Sequence, residues 1–265
     1  MHYNQLKKLL EELYLSYKHK YSSKDPVWVL HGFQDKNDAE IFGLISAAFS
    51  YGSVDQINSF ISKLLVKINN KPYEFTINFQ KRKDIKYLMD LYYRFNTYND
   101  LAALFDSLRK VLIKYSSLEN LFLSYYNSSD KNIIPALIGF ANEINRNVNK
   151  ANAGFYNYLI SNPVNGSTCK RMNLFLRWMV RKDEIDLGLW NKVTPAKLIM
   201  PVDVHVARMS KKLKLAKRKS IDLKFAVELT ETLKKFDPLD PVRFDFALCH
   251  SGIDSNEIFK NRIAI

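Results

Sequence analysis

Tight turns are scarce in this sequence, and their scarcity limits the folds that it can adopt. Only eight glycines and eight prolines are spread over 265 residues, whereas sheet proteins with many hairpins usually need more. Apolar residues instead recur at every third or fourth position, as at Leu6, Leu9 and Leu13, which predicts an amphipathic helix. The mostly apolar run from Asp38 to Gly52 predicts a buried helix. We therefore expect an all-α fold.

Positive charge dominates the composition. Forty Lys and Arg residues outnumber twenty-seven Asp and Glu residues, for a formal net charge of +13, which favours polyanionic partners. Cys169 and Cys249 are too few for a disulfide framework or a four-thiolate metal or iron–sulfur site, so we expect no metal and no cofactor. No run is apolar for long enough to span a bilayer, which favours a cytoplasmic protein without a membrane partner.

A polar turn and a helix follow each other between residues 161 and 181. Asn162, Pro163 and Gly166 indicate the turn, and Ser167 or Thr168 is placed to cap the helix. Such a turn presents backbone N–H groups at a helix N-terminus, where an anion such as phosphate is favoured. The stretch therefore predicts a phosphate-binding hairpin.

The polar positions of this helix share one face. Lys170, Asn173, Arg177 and Arg181 lie three or four residues apart, a spacing that aligns side chains on a helix. We expect this face to point toward something anionic. Taken alone, the stretch favours a plainer interpretation, namely an ordinary capped helix with a solvated basic face.

Asp203 precedes a second helical pattern, "VHVARMSKKLKL". An aspartate just before a periodic apolar run is a good N-cap, and capping is the preferred interpretation of this segment in isolation. Asp203 is also a candidate reactive group. The segment alone does not decide between the two roles.

The order of these parts resembles the helix-hairpin-helix DNA glycosylase superfamily, in which a hairpin precedes a reactive lysine and a later Val-Asp-x-His-Val-x-Arg segment supplies an essential aspartate. The matching motifs run from Asn162 to Gly252 and include "FALCHSG", which is similar to the segment that closes the domain in endonuclease III relatives. The chain is also similar to a bacterial family without an assigned function that shares "CKRMNLFLRWMVR" and "DPVRFDFAL".

The resemblance implies a role for each matching residue. Lys170 corresponds to the catalytic lysine and Asp203 to the catalytic aspartate. The residues that would support the site structurally are Asn173, His205 and Arg208. The residues that would bind DNA are Gly166, Ser167, Thr168, Arg171 and Arg177.

Two departures from the family pattern are visible. The family's hairpin usually has two glycines, whereas "NGSTCK" has only Gly166 and places Thr168 at the second glycine position. The cysteine quartet that holds an iron–sulfur cluster in many relatives is absent. Asp203 follows Lys170 by 33 positions, a longer link than in endonuclease III and closer to the archaeal 8-oxoguanine glycosylase branch. An oxidised purine is therefore the favoured lesion.

The resemblance also implies an architecture, a two-lobed helical fold with its catalytic groups in a central cleft. Residues 36–199 would form a central bundle with Lys170, and residues 1–35 plus 200–265 would form a discontinuous lobe with Asp203. The implied partner is double-stranded DNA with a damaged base, bound by a monomer that associates with the nucleoid.

In the implied reaction, the damaged nucleotide is flipped out of the duplex, because its base cannot be reached inside the stack. Lys170 attacks the sugar C1′ as a neutral amine, and the resulting Schiff base permits strand cleavage by β-elimination. Asp203 accepts a proton from the Lys170 ammonium or stabilises positive charge on the sugar. The predicted function is therefore a bifunctional DNA glycosylase and AP lyase.

Two other functions fit the same sequence. A non-catalytic DNA- or RNA-binding helix-hairpin-helix module would keep the basic hairpin and lack base excision. A helical scaffold with a merely basic surface would have no cleft between Lys170 and Asp203. The base pocket itself is not assigned, because most of the 15 Tyr, 17 Phe and 3 Trp residues are needed in the core.

Overall fold

Helices make up nearly all the regular structure of the protein. The structure is a computed structural model that describes residues 3–18, 24–148 and 156–253. In these ranges the helices are α1 (Tyr3–Tyr17), α2 (Lys36–Ala48), α3 (Val54–Lys67), α4 (Pro72–Asn78), α5 (Lys81–Leu88), α6 (Tyr98–Tyr115), α7 (Leu118–Leu123), α8 (Ile134–Arg146), α9 (Tyr156–Leu159), α10 (Lys170–Val180), α11 (Val204–Lys212), α12 (Leu223–Leu233) and α13 (Asp245–Ile253). The chain is thus mostly α-helical, as its sequence predicts.

The remaining regular elements are short. β1 (Tyr92–Tyr93) and β2 (Asn96–Thr97) form an antiparallel hairpin between α5 and α6. The 3₁₀ turns are Pro26–Gly32, Pro163–Asn165, Pro195–Lys197 and Pro241–Phe244. None of the described helices has both the length and the apolarity needed to cross a bilayer.

α2 is the buried helix that the apolar run predicts. Asp35 caps its start by accepting a hydrogen bond from the backbone N–H of Asn37 at 2.6 Å. Every residue from Ala39 to Ala48 is buried, and the helix packs against α10, α4 and the 3₁₀ turn at Pro26–Gly32. A helix that is mostly apolar around its circumference needs neighbours on all sides, which explains the central position of α2.

One carboxylate of α2 joins two other segments to it. Glu40 is buried and accepts hydrogen bonds from the backbone N–H groups of Leu118 and Glu119 at 2.7 and 2.9 Å. It accepts a third from Nε1 of Trp190 at 2.8 Å. Burial raises the pKa of Glu40 because a low-polarity interior disfavours the charged form. Glu40 therefore holds both the start of α7 and the link after α10 against the central helix.

The first and last described helices pack together. α1 contacts α13 and the 3₁₀ turn at Pro241–Phe244, and the ring of Tyr3 stacks on Phe236 with centroids 4.9 Å apart. A single apolar core extends from α1 to α13. Since one core spans both proposed lobes, the division between residues 36–199 and the two flanking segments stays a prediction.

The basic side of α10 meets anionic groups, as expected, but these are carboxylates inside the protein, so the plainer interpretation of a solvated basic face is wrong. Arg177 is only 2% exposed, and its guanidinium donates to Asp186 at 3.1 Å and to Asp245. Arg181 is also buried and pairs with Asp186 and, at 2.9 Å, with Asp240. The assignment of Arg177 to the DNA interface is therefore wrong, because its charge is neutralised inside the core.

These ion pairs fix α10 against the C-terminal third of the chain. Asp186 lies in the link after α10, whereas Asp245 is the first residue of α13. Burial alone would lower the pKa of Arg177, but the two carboxylates outweigh burial and raise it. Charges that have lost their water must keep their partners. The position of α10 relative to α13 is therefore tightly constrained.

Replacing Arg177 by glutamine is expected to lower the free energy of unfolding by about 3–5 kcal/mol, because Asp186 and Asp245 lose a buried counter-ion. Urea unfolding followed by circular dichroism measures the loss. Arg218→Gln is the matched control, since Arg218 pairs with Asp222 at the surface and its removal should leave stability nearly unchanged. Equal losses for the two variants would contradict the structural role of Arg177.

Candidate active site

The predicted hairpin is a tight turn that leads into α10. Gly166 has a φ of 74°, a left-handed conformation that glycine adopts without strain, and Gly166 and Ser167 are exposed. Neither Ser167 nor Thr168 caps α10, contrary to the prediction. Cys169 occupies the N-cap position, in a left-handed conformation and without a side-chain cap. Ser167 instead accepts a hydrogen bond from the backbone N–H of Cys169 at 3.2 Å.

Thr168, at the position where the glycosylase hairpin that the sequence resembles has its second glycine, connects the hairpin to the segment that carries Asp203. Its hydroxyl donates to the backbone oxygen of Val202 at 3.2 Å. The amide of Asn173 donates to the backbone oxygen of Thr168 at 2.9 Å. Asn173 thus braces the hairpin from within α10. The departure from glycine places a side chain where it holds two parts of the site together.

Lys170 and Asp203 lie at the starts of two helices and their side chains converge. Lys170 is the first residue of α10, and Asp203 is the N-cap of α11. The Nζ of Lys170 is 4.0 Å from Oδ2 of Asp203 and donates to the backbone oxygen of Ser50 at 3.4 Å. The two side chains are 29% and 21% exposed. An amine and a carboxylate are therefore paired where a ligand can reach them.

The two oxygens of Asp203 have different neighbours. Oδ1 accepts hydrogen bonds from the backbone N–H groups of His205 and Val206, both at 2.9 Å. Oδ2 faces Lys170 and accepts a hydrogen bond from the thiol of Cys249 at 3.6 Å. Capping uses one oxygen and leaves the other available. The two roles considered for Asp203 are therefore compatible, because each uses its own atom.

Cys249 is a neighbour of Asp203 in the cleft. It is partly exposed in the cleft and donates to Asp203. Burial raises the pKa of Cys249 well above its usual value, and the charges of Asp203 and Asp245 add to the rise. The thiol therefore keeps its proton and acts as a hydrogen-bond donor to the carboxylate.

Asp245 connects the site to the buried ion pairs of α10. Burial raises its pKa to about 6, with Arg177 acting against the rise and the charge of Asp203 adding to it. The carboxylate that pairs with Arg177 is thus close enough to Asp203 for their charges to interact. The electrostatic surroundings of Asp203 and the packing of α10 depend on the same residues.

The paired side chains line a cleft of about 540 Å³. Ser167, Thr168, Lys170, Asp203 and His205 all contribute to its wall. Ligand-binding clefts of this size usually combine apolar surface with a few converging polar groups. The hairpin, the amine and the carboxylate therefore open onto one shared space.

Tyr51 and Tyr158 form one side of the same cleft, which we call the aromatic wall. The rings of Tyr51 and Tyr158 meet edge to face with centroids 5.1 Å apart, and Tyr158 is 47% exposed. Burial raises the pKa of Tyr51 to about 12, although the charge of Arg171 opposes the rise. Aromatic surface at the edge of a cleft can stack against a planar ligand.

Arg171 belongs to this wall. Its guanidinium lies 4.0 Å from the ring centroid of Tyr158, donates to the backbone oxygen of Ala48 at 2.9 Å and donates to that of Tyr158. The side chain is 8% exposed and its guanidinium is bound inside the protein, which leaves little of it for the DNA contact that the sequence predicts. It lines the cleft while supporting the aromatic ring from behind.

The packing of α11 on α13 sets the far side of the cleft. A Cβ on Gly252 would lie 3.0 Å from Cβ of His205 and 3.2 Å from Cγ of Met209. These distances are shorter than nearly all real Cβ contacts, so a larger residue would require His205 or Met209 to shift. Arg208 donates to the backbone oxygen of Gly252, so it holds the end of α13. Both α11 residues assigned to structural support therefore contact the closing segment.

Sequence reasoning missed Tyr51, Tyr158 and Cys249 as parts of the site. "FSYG" after the buried helix signals a turn that exposes an aromatic residue near a helix end, and Cys249 lies inside the recognised "FALCHSG" segment. No signal of this kind marks Tyr158. In the described ranges, His, Cys, Asp and Glu side chains form no group of three that could hold a metal ion.

The chain matches a protein-family model over most of its length. A family model described as "Protein of unknown function (DUF2400)" matches residues 25–254, which includes the hairpin, Lys170, Asp203 and the closing segment. No curated protein and no solved structure matches the chain.

Two substitutions of Asp203 should separate its capping role from its charge. Asp203→Ala removes the acceptor for two backbone N–H groups and is expected to lower the free energy of unfolding by about 1 kcal/mol. Asp203→Asn keeps an acceptor oxygen, and asparagine caps helices as well as aspartate does. We expect its stability in urea to match that of the wild type within about 0.5 kcal/mol. If both variants lower the free energy of unfolding by the same amount, Asp203 does not stabilise the protein through its cap.

Proposed function

The chain belongs to the DUF2400 family, and we propose that it is a DNA glycosylase with an associated AP lyase activity. The observation that carries the proposal is the 4.0 Å separation of the Lys170 Nζ and the Asp203 Oδ2 inside a cleft behind an exposed hairpin. An amine nucleophile with an adjacent carboxylate is the pair that Schiff-base chemistry on a sugar needs. The enzyme would act on nucleoid DNA.

Lys170 is the proposed nucleophile. Its neutral Nζ attacks C1′ of the flipped nucleotide and forms the C1′–N bond, while the glycosidic bond breaks and its electron pair leaves with the base, which takes up a proton. Opening of the sugar ring then gives the Schiff base. Loss of a C2′ proton expels the 3′ phosphate by β-elimination and cuts the strand.

Asp203 is the proposed proton acceptor. The Lys170 ammonium must lose a proton before it can attack, and Oδ2 of Asp203 is the nearest carboxylate oxygen, at 4.0 Å. Alternatively, the ionised carboxylate keeps its negative charge and stabilises the positive charge that develops on the sugar. Two backbone N–H groups and the Cys249 thiol fix the carboxylate. A fixed acceptor needs no rearrangement during the reaction.

The aromatic wall is the proposed binding site of the flipped base. Tyr158 exposes nearly half of its surface in the cleft, and a flipped base is commonly held by stacking on such a ring. An oxidised purine such as 8-oxoguanine is the favoured lesion. This choice rests on the 33-residue link between Lys170 and Asp203 and its likeness to the archaeal 8-oxoguanine glycosylases.

A non-catalytic nucleic-acid-binding module is the second candidate. The observation that favours it is the environment of Lys170, whose ammonium is already bound by Asp203 and by the backbone oxygen of Ser50, as in a structural ion pair. A plain scaffold is less well supported, because it predicts no cleft between Lys170 and Asp203, and these residues share one.

Borohydride trapping separates the enzyme from the binding module. We expect the wild-type protein to crosslink covalently to duplex DNA that contains 8-oxoguanine or an abasic site. Lys170→Arg should form no crosslink, because the guanidinium keeps the charge but is not a nucleophile. Asp203→Asn should crosslink to the 8-oxoguanine duplex roughly 10²- to 10⁴-fold more slowly.

Lys36→Arg is the matched control for the trapping experiment. Lys36 pairs with Glu119 on the surface of the helical bundle, so its replacement should leave the crosslink unchanged. If the wild type binds DNA but forms no crosslink with any lesion tested, the enzymatic proposal is wrong and the binding module is favoured.

A further inference from the structure

The inward position of the α10 arginines leaves the DNA interface without the cations assigned to it. Arg177 is neutralised in the core and Arg171 is bound to backbone oxygens. A protein that binds DNA through phosphates needs exposed Lys or Arg side chains beside its positioning motif. The net charge of +13 must therefore be presented by another segment.

A large group of exposed cations lies at the end of α11 and in the segment that follows, next in space to the hairpin. We call residues 211–224 the basic loop. Its exposed lysines are Lys211, Lys212, Lys214, Lys217, Lys219 and Lys224. Its only acidic residue is Asp222, which pairs with Arg218 at 2.5 Å. The loop therefore carries a strong local excess of positive charge.

Hydrogen bonds hold the basic loop in one conformation. Glu228 of α12 accepts from the backbone N–H groups of Lys217 and Arg218 at 2.7 and 3.3 Å. The Nζ of Lys211 donates to the backbone oxygen of Lys219 at 2.7 Å. Lys214 has a φ of 56°, a left-handed turn that ends α11. The cations are thus held on a fixed backbone, which reduces the entropy lost when they bind.

The basic loop is attached directly to the hairpin. The backbone N–H of Leu223 donates to the backbone oxygen of Gly166 at 2.9 Å, and Gly166 is at the exposed tip of the hairpin. The apolar side chains of Leu213 and Leu215 are buried, and Ile221 is the one large apolar side chain of the loop that is exposed, at 46%. A rigid and mainly cationic strip beside the predicted phosphate-binding turn fits the backbone of a nucleic acid duplex.

We propose that the basic loop, through Lys217 and Lys219, contacts the phosphates of duplex DNA next to those held by the hairpin. The inference rests on the proposed function in that it takes DNA as the partner, but it needs no catalysis. Lysine contacts to phosphate position a duplex without reading its sequence. The loop would hold undamaged and damaged DNA equally well and leave recognition of the lesion to the cleft.

The test is the salt dependence of binding to an undamaged duplex, measured by fluorescence anisotropy between 50 and 200 mM KCl. The variant Lys217→Gln/Lys219→Gln is expected to bind about tenfold more weakly at 100 mM salt. The slope of log affinity against log salt should fall by about 2, since each lost phosphate contact removes about one unit. The backbone groups of both residues, which bond Glu228 and Lys211, are unchanged.

The variant Lys7→Gln/Lys8→Gln is the matched control. It removes the same charge from exposed positions of α1, which packs against α13 and the turn at Pro241–Phe244. Its slope should stay that of the wild type. Equal slopes for the two double variants would overturn the proposal. It would also be overturned if the loop variant bound the duplex as tightly as the wild type and lost affinity only for vesicles of anionic lipid. A lower slope for the loop variant supports it even if the wild type forms no borohydride crosslink.

Discussion

The buried ion pairs of α10 are the interaction on which the rest of the site depends. Arg177 and Arg181 cannot be left without counter-ions inside the core, so Asp186 and Asp245 must come to them. Those carboxylates bring the link after α10 and the start of α13 against one helix. Because Lys170 begins that helix, its position relative to the C-terminal third follows from the same pairs.

Asp203 combines a structural role with the reactive role proposed for it. Its Oδ1 fixes the start of α11 through two backbone N–H groups, and its Oδ2 points toward Lys170 and Cys249. The cap makes the carboxylate rigid, and rigidity is what a proton acceptor or an electrostatic stabiliser requires. The fold therefore contributes to the proposed chemistry by holding one oxygen so that the other is correctly placed.

The sequence predicts the helical class, the buried α2 and the candidate pair Lys170 and Asp203, because periodicity and motif order are local properties. The sequence does not predict the burial of Arg177. Polar residues three or four positions apart form the same pattern whether their side chains contact water or carboxylates from distant parts of the chain. The acidic residues of "DEID" and "VRFDF" include the carboxylates that pair with the α10 arginines, and their charges are the sequence feature that could have indicated these ion pairs. Tyr158 could not be predicted, because its place beside Tyr51 arises only from tertiary packing.

The central claim is that the amine of Lys170 becomes bonded to a DNA sugar. Peptide mapping by mass spectrometry of the borohydride-reduced protein–DNA adduct, after nuclease digestion, tests it most directly. The account predicts one modified tryptic peptide, in which the sugar remnant is on Lys170 and cleavage after that residue is blocked. A remnant on any other lysine or on the terminal amine would contradict it.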